Sequence, residues 1–373
     1  MRIKSIEPIA ISLPMRKPVQ MAGETVARAD NVLVRIESED GVVGWGEAAS
    51  APTMTGETVA GMLAAVAYLA PGLIGRSAAD IAGAAAAMDT AMYGNTGAKA
   101  AIEIALHDLV GHATGRPVHA LLGEKRRSRI PLLAVIGGAD AAADVREAEE
   151  RKAAGYTIFK LKVGIDAPEA DAARTVAVCR ALGARCLVSA DANQGYDVDA
   201  ALRYVHAIAH AGLGFFEQPV QARDLDGMTR IAAATRVPLG ADEGIHSRDD
   251  IARHHAAKAA AGVSLKAIKL GGLRAVQEAS RLCNWLGMKV NISCKTGESS
   301  IASAAALHVA AVIPEIAWGL SLTSPALAED VAVKPLGVAD GHAEVPDRPG
   351  LGIEVDERWV RQHQRKLAAK KVA

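Results

Sequence analysis

The sequence predicts an α/β protein in two parts, a mixed α+β region followed by a closed barrel of parallel strands. The chain has 373 residues, of which 50% are hydrophobic but only 3% aromatic, so its core is built mainly from Ala, Val, Leu and Ile. From Pro131 onward, short apolar runs recur every 24 to 29 residues, with amphipathic helical stretches between them. Since parallel strands are joined by crossover connections of about this length, the recurrence predicts alternating strands and helices.

The first part, residues 1–125, is predicted to contain three strands and three helices. Alternating apolar and polar residues predict the strands Ile3–Leu13, Asn31–Ser38 and Val42–Ala48. Helical periodicity predicts the helices Glu57–Leu69, Ala78–Met92 and Thr96–Thr114. Glu39-Asp40-Gly41 indicates a hairpin turn. The cationic stretch Lys125–Arg129 indicates an exposed boundary to the second part.

The second part, residues 126–322, is predicted to contain eight strands, one at each apolar run. The runs lie near Leu132, Ile158, Leu187, Gly214, Pro238, Leu265, Val290 and Ala317. Eight evenly spaced strands favour a closed barrel over an open sheet. Residues 323–373 are too few for a further domain, so we expect this tail to pack back on the first part.

Charge and composition exclude several classes of protein. Forty-two basic residues balance forty-two acidic ones, which argues against nucleic acid or an anionic membrane surface as a partner. No apolar stretch reaches the roughly 20 residues needed to span a bilayer. The four cysteines form no CxxC pair, and the N-terminus lacks a signal-peptide pattern. We therefore expect a cytoplasmic protein with reduced thiols.

Three consecutive strands end in an acidic residue: Asp191, Glu217 and Asp242. Because catalytic residues of such barrels lie at the carboxyl ends of the strands, these carboxylates are expected at one rim. Three carboxylates at one rim repel each other unless a cation lies among them. Oxygen ligands favour Mg²⁺, with Mn²⁺ as an alternative. Each acid alone is more simply explained as a helix cap or a partner of a lysine, but three in register favour a metal site.

Three lysines follow the same pattern. Lys160 and Lys162 are two apart on one strand, so both point into the barrel. Lys269 comes four strands later, about half a turn around the barrel, and is expected to face Lys162. A buried lysine beside another cation and near a metal is expected to have a lowered pKa, so its neutral amine can act as a base. Neutralisation of the acids is the simpler alternative.

These residues belong to an ordered series of motifs. It comprises the segment Gly41–Glu47, Lys160-x-Lys162, Asp191-x-Asn193, Glu217-Gln218-Pro219, Asp242-Glu243, Lys266-x-x-Lys269-x-Gly271-Gly272, Gly297-Glu298-Ser299 and the segment Pro349–Gly352. In order and spacing the chain resembles the enolase superfamily, specifically the muconate-lactonizing-enzyme (muconate cycloisomerase) subgroup of the mandelate racemase/muconate lactonizing enzyme family. The resemblance implies a modified TIM barrel, (β/α)₇β, with an α+β N-terminal capping domain.

The resemblance also implies roles for individual residues. Asp191, Glu217 and Asp242 would bind Mg²⁺, and Lys162 and Lys269 would form the acid/base pair. Lys160 would lie near the substrate carboxylate and Glu298 would be a polar partner in the pocket, while Asn193 and Lys266 would support these residues from behind. The expected partner is a small-molecule carboxylate, and a homo-oligomer is expected.

The expected reaction is proton transfer α to a carboxylate through a metal-stabilised enediolate. In relatives two capping-domain loops, here Pro18–Ala29 and Ala49–Thr58, close over the site and select the substrate. Dipeptide epimerases present Asp-x-Asp near the eighth strand, whereas the segment Trp318–Leu322 has no acid. This favours a muconate-cycloisomerase-like reaction. Epimerisation or racemisation of a dipeptide or N-acylamino acid, dehydration of an acid, and a non-catalytic binding barrel are alternatives.

Overall fold

The first part of the chain is an antiparallel sheet packed against helices. The computed structural model describes residues 1–137 and 140–365. Three strands pair in the order β1 (Ile3–Met21), β2 (Glu24–Ser38) and β3 (Val43–Ala49). Four helices follow: α1 (Val59–Leu69), α2 (Ile81–Ala91), α3 (Thr96–Thr114) and α4 (Val118–Leu122). The predicted strands and long helices are therefore present; the helix ends shift by a few residues, whereas β1 and β2 are seven or eight residues longer than predicted.

Helix α3 is buried between the sheet and the second part of the chain. It approaches β3 so closely that a Cβ atom at Gly44 or Gly46 would overlap the backbone carbonyl oxygens of Ala105 or Ala101. Glycine at these two positions therefore lets the helix lie directly on the strand.

The hairpin formed by β1 and β2 is longer than predicted. The segment 18–29, expected to be a loop, instead extends the two strands to a turn at Ala22-Gly23. Proline cannot donate to the ladder, and the pairing accordingly shifts register between Pro14 and Val19 before resuming at Val19 opposite Val26. We call residues 19–26 the hairpin tip.

The second part begins with β4 (Arg129–Pro131) and continues as eight parallel strands. These are β5 (Leu133–Ile136), β6 (Ile158–Lys162), β7 (Leu187–Asp191), β8 (Phe215–Glu217), β9 (Leu239–Ala241), β10 (Gly262–Leu265), β11 (Lys289–Ser293) and β12 (Leu320–Ser321). Each strand pairs with the next in chain order. A bridge between Leu132 and Leu320 brings the last strand back beside the first. The predicted barrel of eight parallel strands is therefore confirmed.

Helices cover the outside of the barrel. They are α5 (Ala141–Ala153), α6 (Pro168–Leu182), α7 (Val198–Ala207), α8 (Leu225–Ala234), α9 (Arg248–Ala256), the one-turn α10 (Ala267–Leu270), α11 (Leu273–Leu286) and α12 (Ser300–Val312). Seven strands are each followed by helix and β12 closes the series, which is the expected (β/α)₇β order. Inside the barrel, Trp318 stacks on Phe215 with ring centroids 3.9 Å apart. A Cβ atom at Gly262 would collide with Trp318, so the glycine makes room for this aromatic pair.

The tail returns to earlier parts of the chain. Strand β13 (His342–Glu344) pairs with β4, and α13 (Glu357–His363) contacts β1, where Arg361 forms an ion pair with Glu7. The four cysteines, all in the described part of the chain, are unpaired. No helix among the described residues has the length and apolar character needed to cross a membrane.

One buried carboxylate joins the first part to the barrel. Glu47 of β3 is fully buried and accepts hydrogen bonds from Asn31 Nδ2 at 2.7 Å and Ser299 Oγ at 2.6 Å. It also accepts hydrogen bonds from the backbone N–H groups of Ser299 and Ala302 at the start of α12. A carboxylate is favourable at this helix terminus because the first backbone N–H groups of a helix have no partner within the helix.

Candidate active site

A cavity of about 220 Å³ lies at the carboxyl ends of the barrel strands. Its polar wall is formed by residues at the ends of β6, β7, β9 and β10: Lys160, Lys162, Asp191, Asn193, Asp242, Glu243 and Lys266. The first part of the chain covers it with Val19, Met21, Ala22 and Glu24 of the hairpin tip and with Thr53 and Met54. Both segments expected to select the substrate therefore reach the cavity, although one of them is a hairpin.

The three predicted carboxylates lie together at consecutive strand ends. Asp191 and Glu217 are paired in register on β7 and β8, and Asp242 directly follows β9. All three side chains are at most 2% exposed. Burial raises the pKa of Glu217, and the charges of Asp191 and Asp242 add to this effect against the attraction of Lys160. The three carboxyl groups are therefore close enough for the charges of Asp191 and Asp242 to oppose ionisation of Glu217.

Lys160 and Lys162 both point at these carboxylates, as their spacing on β6 predicts. Lys160 Nζ lies 2.5 Å from Glu217 Oε2 and 3.8 Å from Asp191 Oδ2. Lys162 Nζ donates to Asp191 Oδ2 at 2.7 Å and to Asn193 Oδ1 at 2.6 Å. Burial opposes the charge of Lys160, but Glu217 and Asp191 together raise its pKa above the ordinary value. Lys160 is therefore a cation in this arrangement.

The lysine opposite Lys162 in the cavity is Lys266, and the expectation that Lys269 occupies this wall is wrong. Strand β10 ends at Leu265, so Lys266 lies at the strand end and lines the cavity, where it contacts Asp242 Oδ2. Lys269 follows on α10, is fully buried, and does not line the cavity. Strands β6 and β10 are four apart in the barrel, which places Lys162 and Lys266 on opposite sides.

Lys269 instead holds Asp242 from behind. Its Nζ lies 2.6 Å from Asp242 Oδ1 and 2.8 Å from the carbonyl oxygen of Ser264, and it also contacts the carbonyl oxygen of Asp242. Burial lowers the pKa of Lys269, as does its like-charged neighbour Lys266. Although burial opposes ionisation of Asp242, the two lysines hold the pKa of Asp242 far below its ordinary range. Asp242 is therefore an anion.

Asn193 connects the two sides of the polar wall. Besides accepting from Lys162, it donates from Nδ2 to Glu243 Oε1 at 3.0 Å. Burial raises the pKa of Glu243 to about 7, and the neighbouring charge of Asp242 adds to the rise. This position fits the supporting role expected of Asn193.

Glu298 does not contribute to the cavity wall, so the expectation that it is a polar partner in the pocket is wrong. Its Oε2 accepts a hydrogen bond from the backbone N–H of Lys295 at 2.8 Å. Burial, with Glu47 nearby, raises the pKa of Glu298 to about 8. The cavity residues after β11 are Cys294, Lys295 and Thr296. Lys295 was not among the predicted site residues, although it follows the seventh barrel strand as the other charged residues follow theirs.

The wall next to the eighth barrel strand is uncharged. Ser321, Leu322, Thr323, Pro325 and Ala326 line the cavity there. The acidic residues in the cavity lining are Glu24, Asp191, Asp242 and Glu243, and none comes from this segment. The structure therefore agrees with the sequence in offering no carboxylate at this wall.

Four features of the carboxylates bear on a metal ion. Across residues 1–137 and 140–365, no group of three His, Cys, Asp or Glu side chains is arranged closely enough to hold one. The ammonium groups of Lys160, Lys162 and Lys266 contact the carboxylates instead. The donor chemistry nevertheless fits a hard divalent ion, because all three acids offer oxygen. Glu217 Oε2 is also buried and accepts no hydrogen bond among the described residues; its one contact of this kind is the ion pair with Lys160.

Comparison with known proteins identifies the family of the chain. Residues 6–123 match the family described as mandelate racemase/muconate lactonizing enzyme, N-terminal domain, and residues 143–359 match the enolase C-terminal domain-like family. A chloromuconate cycloisomerase of Pseudomonas sp. strain P51 is 32% identical, over 98% of this chain and all of that protein. An N-succinyl-L-Arg/Lys racemase of Bacillus cereus is also 32% identical, over 97% of this chain and 98% of that protein.

A solved structure shows the same fold. The crystal structure of muconate lactonizing enzyme from Pseudomonas fluorescens, complexed with muconolactone, superposes with a TM-score of 0.93 at 31% identity. The match covers 98% of this chain and 99% of that one. With both families matched and the barrel and its polar cavity in place, the chain belongs to the mandelate racemase/muconate lactonizing enzyme family and is an isomerase of the enolase superfamily.

Proposed function

We propose that this isomerase is a cycloisomerase that acts on a muconate-like dicarboxylate. The observation that carries the proposal is the uncharged wall beside β12, where Ser321, Leu322 and Thr323 offer no acid to a substrate ammonium group. Lysines on opposite sides of the cavity fit proton transfer at a carbon next to a carboxylate. The similarity to a chloromuconate cycloisomerase and to a muconate lactonizing enzyme supports the same reaction.

We further propose that Asp191, Glu217 and Asp242 hold Mg²⁺, with Mn²⁺ as an alternative. A bound divalent ion supplies Lewis-acid stabilisation of the negative charge that develops on the substrate carboxylate when the adjacent carbon is deprotonated. Lys269 keeps Asp242 ionised and fixed in place, which is what a carboxylate ligand requires.

The lysines would bind the substrate carboxylate and transfer the proton. Lys160 remains protonated and binds a substrate carboxylate, since its pKa is raised by its acidic neighbours. Lys162 and Lys266 approach the substrate from opposite sides, so one of them delivers a proton to the carbon α to that carboxylate. In cycloisomerisation an oxygen of the other substrate carboxylate adds to the double bond and closes the lactone ring. The reverse reaction returns the same proton to the lysine.

Racemisation of an N-succinyl amino acid is the second candidate. It is favoured by the similarity to an N-succinyl-L-Arg/Lys racemase and uses the same pair of lysines, one for each face of the α-carbon. Epimerisation of a dipeptide is disfavoured by the uncharged wall beside β12, because a dipeptide carries a free ammonium group. Dehydration of a hydroxy acid starts from the same proton abstraction and is tested alongside.

One experiment separates these reactions. The purified protein with Mg²⁺ is incubated in D₂O with cis,cis-muconate, with N-succinyl amino acids, with L-dipeptides and with α-hydroxy acids, and products are followed by NMR. Lactone formation from muconate is the expected result. Inversion with deuterium uptake in an N-succinyl amino acid, without lactone, would replace the proposal with the racemase.

The remaining expectations concern the protein as a whole. We propose a cytoplasmic homo-oligomer. The four unpaired cysteines support a reducing compartment. Size-exclusion chromatography with light scattering measures the oligomeric state.

A further inference from the structure

Lys295 differs from the other lysines of the cavity in its contacts. Lys160, Lys162 and Lys266 each form ion pairs with carboxylates at the strand ends. Among the contacts of the described residues, the Lys295 ammonium pairs instead with Glu24 of the hairpin tip, at 3.4 Å. Lys295 therefore places a positive charge in the cavity that the proposed reaction does not use.

The backbone of Lys295 is held on both sides. Its N–H donates to Glu298 Oε2 at 2.8 Å, and its carbonyl oxygen accepts from Thr323 Oγ1 at 2.9 Å. The side chain is 6% exposed, so the ammonium is directed into the cavity and not into solvent. A lysine that is fixed and desolvated in this way is prepared to bind an anion, because little side-chain freedom remains to be lost.

The present partner of Lys295 is a weak one. Glu24 is 31% exposed and lies 3.4 Å from the ammonium, whereas Lys162 lies 2.7 Å from Asp191. Burial lowers the pKa of Lys295, and the charges of Lys266 and Lys162 act in the same direction, opposed by Glu24. With Glu24 displaced, the ammonium groups of Lys295, Lys266 and Lys162 would repel each other without its charge, so a substrate anion in its place would be favourable.

We propose that Lys295 binds a second carboxylate of the substrate, displacing Glu24, so that the site selects dianionic substrates. The inference rests on the proposed function for one point, that the first carboxylate is bound by the strand-end residues. It applies equally to a muconate-like dicarboxylate and to an N-succinyl amino acid, both of which carry two carboxylates. It excludes substrates whose far end is neutral or cationic.

The test uses three unreactive probes with the same six-carbon chain, which share one carboxylate and differ at the far end. Adipate carries a second carboxylate, monomethyl adipate an ester, and 6-aminohexanoate an ammonium group. Calorimetric titration of the Mg²⁺-supplemented protein is expected to show adipate binding about 10- to 100-fold more tightly than the monoester, the range for a hydrogen bond between charged groups.

Four variants locate the preference. In Lys295→Met the affinity for adipate is expected to fall to within about threefold of the affinity for the monoester. The affinity for the monoester should not change, because only the second carboxylate is affected. Lys295→Arg should retain most of the preference for adipate over the monoester. Glu24→Gln should increase the affinity for adipate, because it removes the carboxylate that competes for Lys295. Lys289→Met removes an exposed lysine at the start of β11, the strand that precedes Lys295, and should change none of these affinities. Thermal unfolding of each variant establishes that it is folded.

Two outcomes would overturn the inference. In one, adipate keeps its preference in Lys295→Met or, should that variant not fold, Glu24→Gln fails to tighten adipate. In the other, 6-aminohexanoate binds best and depends on Glu24, which would make Glu24 the receptor of a substrate cation. Binding is independent of turnover. A Lys295-dependent preference without lactone or inversion would reject the proposed function alone, whereas turnover with an unchanged preference in Lys295→Met would reject this inference alone.

Discussion

Replacing Glu298 with Gln is expected to stabilise the protein at alkaline pH. Glu298 is 4% exposed, and burial together with Glu47 raises its pKa from 4.5 to about 8. The folded protein therefore holds this proton between those two pH values, where the unfolded chain has lost it. The stability that the protonated carboxyl contributes is complete below pH 4.5 and is lost as the pH rises through about 8.

The size of the effect follows from that pKa. One unit of difference between the folded and unfolded states corresponds to about 1.4 kcal/mol. Between about pH 5.5 and the folded pKa, Glu298 is protonated in the folded protein and ionised in the unfolded chain. Raising the pH across this interval should therefore lower the free energy of unfolding by on the order of 3 kcal/mol. Gln keeps an oxygen that can accept from the N–H of Lys295, as Glu298 Oε2 does at 2.8 Å, but it carries no charge to desolvate.

The assay is urea unfolding at equilibrium, at about pH 5.5 and about pH 8.5, for the wild type and Glu298→Gln. Other buried groups also titrate in this interval, so the measured quantity is the difference between the two proteins. That difference should grow by about 3 kcal/mol in favour of the variant between the lower pH and the higher one. Glu124→Gln, at an exposed position, is the control. A difference that does not change with pH would refute the reasoning.

Three further predictions concern the join between the two parts and the polar wall. Glu47→Ala leaves several buried donors without an acceptor and should lower the free energy of unfolding by about 3–5 kcal/mol, measured in urea; a loss below about 1 kcal/mol would contradict the structure. Lys266→Met should reduce turnover at least about 100-fold with a small change in the free energy of unfolding. Lys269→Met should lower the free energy of unfolding by about 3–5 kcal/mol, because it removes a fully buried ion-pair partner of Asp242. Similar turnover and stability in the two variants would contradict their different positions. Chelation should abolish turnover and Mg²⁺ restore it, with Asp191→Asn weakening Mg²⁺ binding by calorimetry; an unchanged affinity would exclude Asp191 as a ligand.

The sequence is most informative where local pattern and tertiary structure agree. Parallel strands buried on both faces produce short apolar runs, and the runs at Ile158 and Leu187 begin strands at those same residues. The helix Thr96–Thr114 has the predicted bounds, because Gly115 ends it in the left-handed conformation with φ +66°. The spacing predicts strands joined by crossovers, and in the structure each crossover returns to the neighbouring position.

The sequence is least informative where position depends on distant contacts. Lys266 and Lys269 are three residues apart, and only the end of β10 at Leu265 determines which of them reaches the cavity. The pairing of Lys295 with Glu24 joins residues 271 positions apart, which no local pattern indicates. The hairpin also continued beyond Pro14 through a shift in register, although proline usually predicts that a strand ends.

The contacts of Glu47 have a consequence for recombination between relatives. Exchanging the first part of this chain for that of another family member would transfer the hairpin tip and so alter the substrate. The exchange would also cut through a buried network, because Glu47 comes from one parent while Ser299 and Ala302 come from the other. Chimeras should therefore lose stability unless one parent supplies the carboxyl at position 47 and the other a hydroxyl at position 299, so a screen for new specificity is best restricted to such pairs.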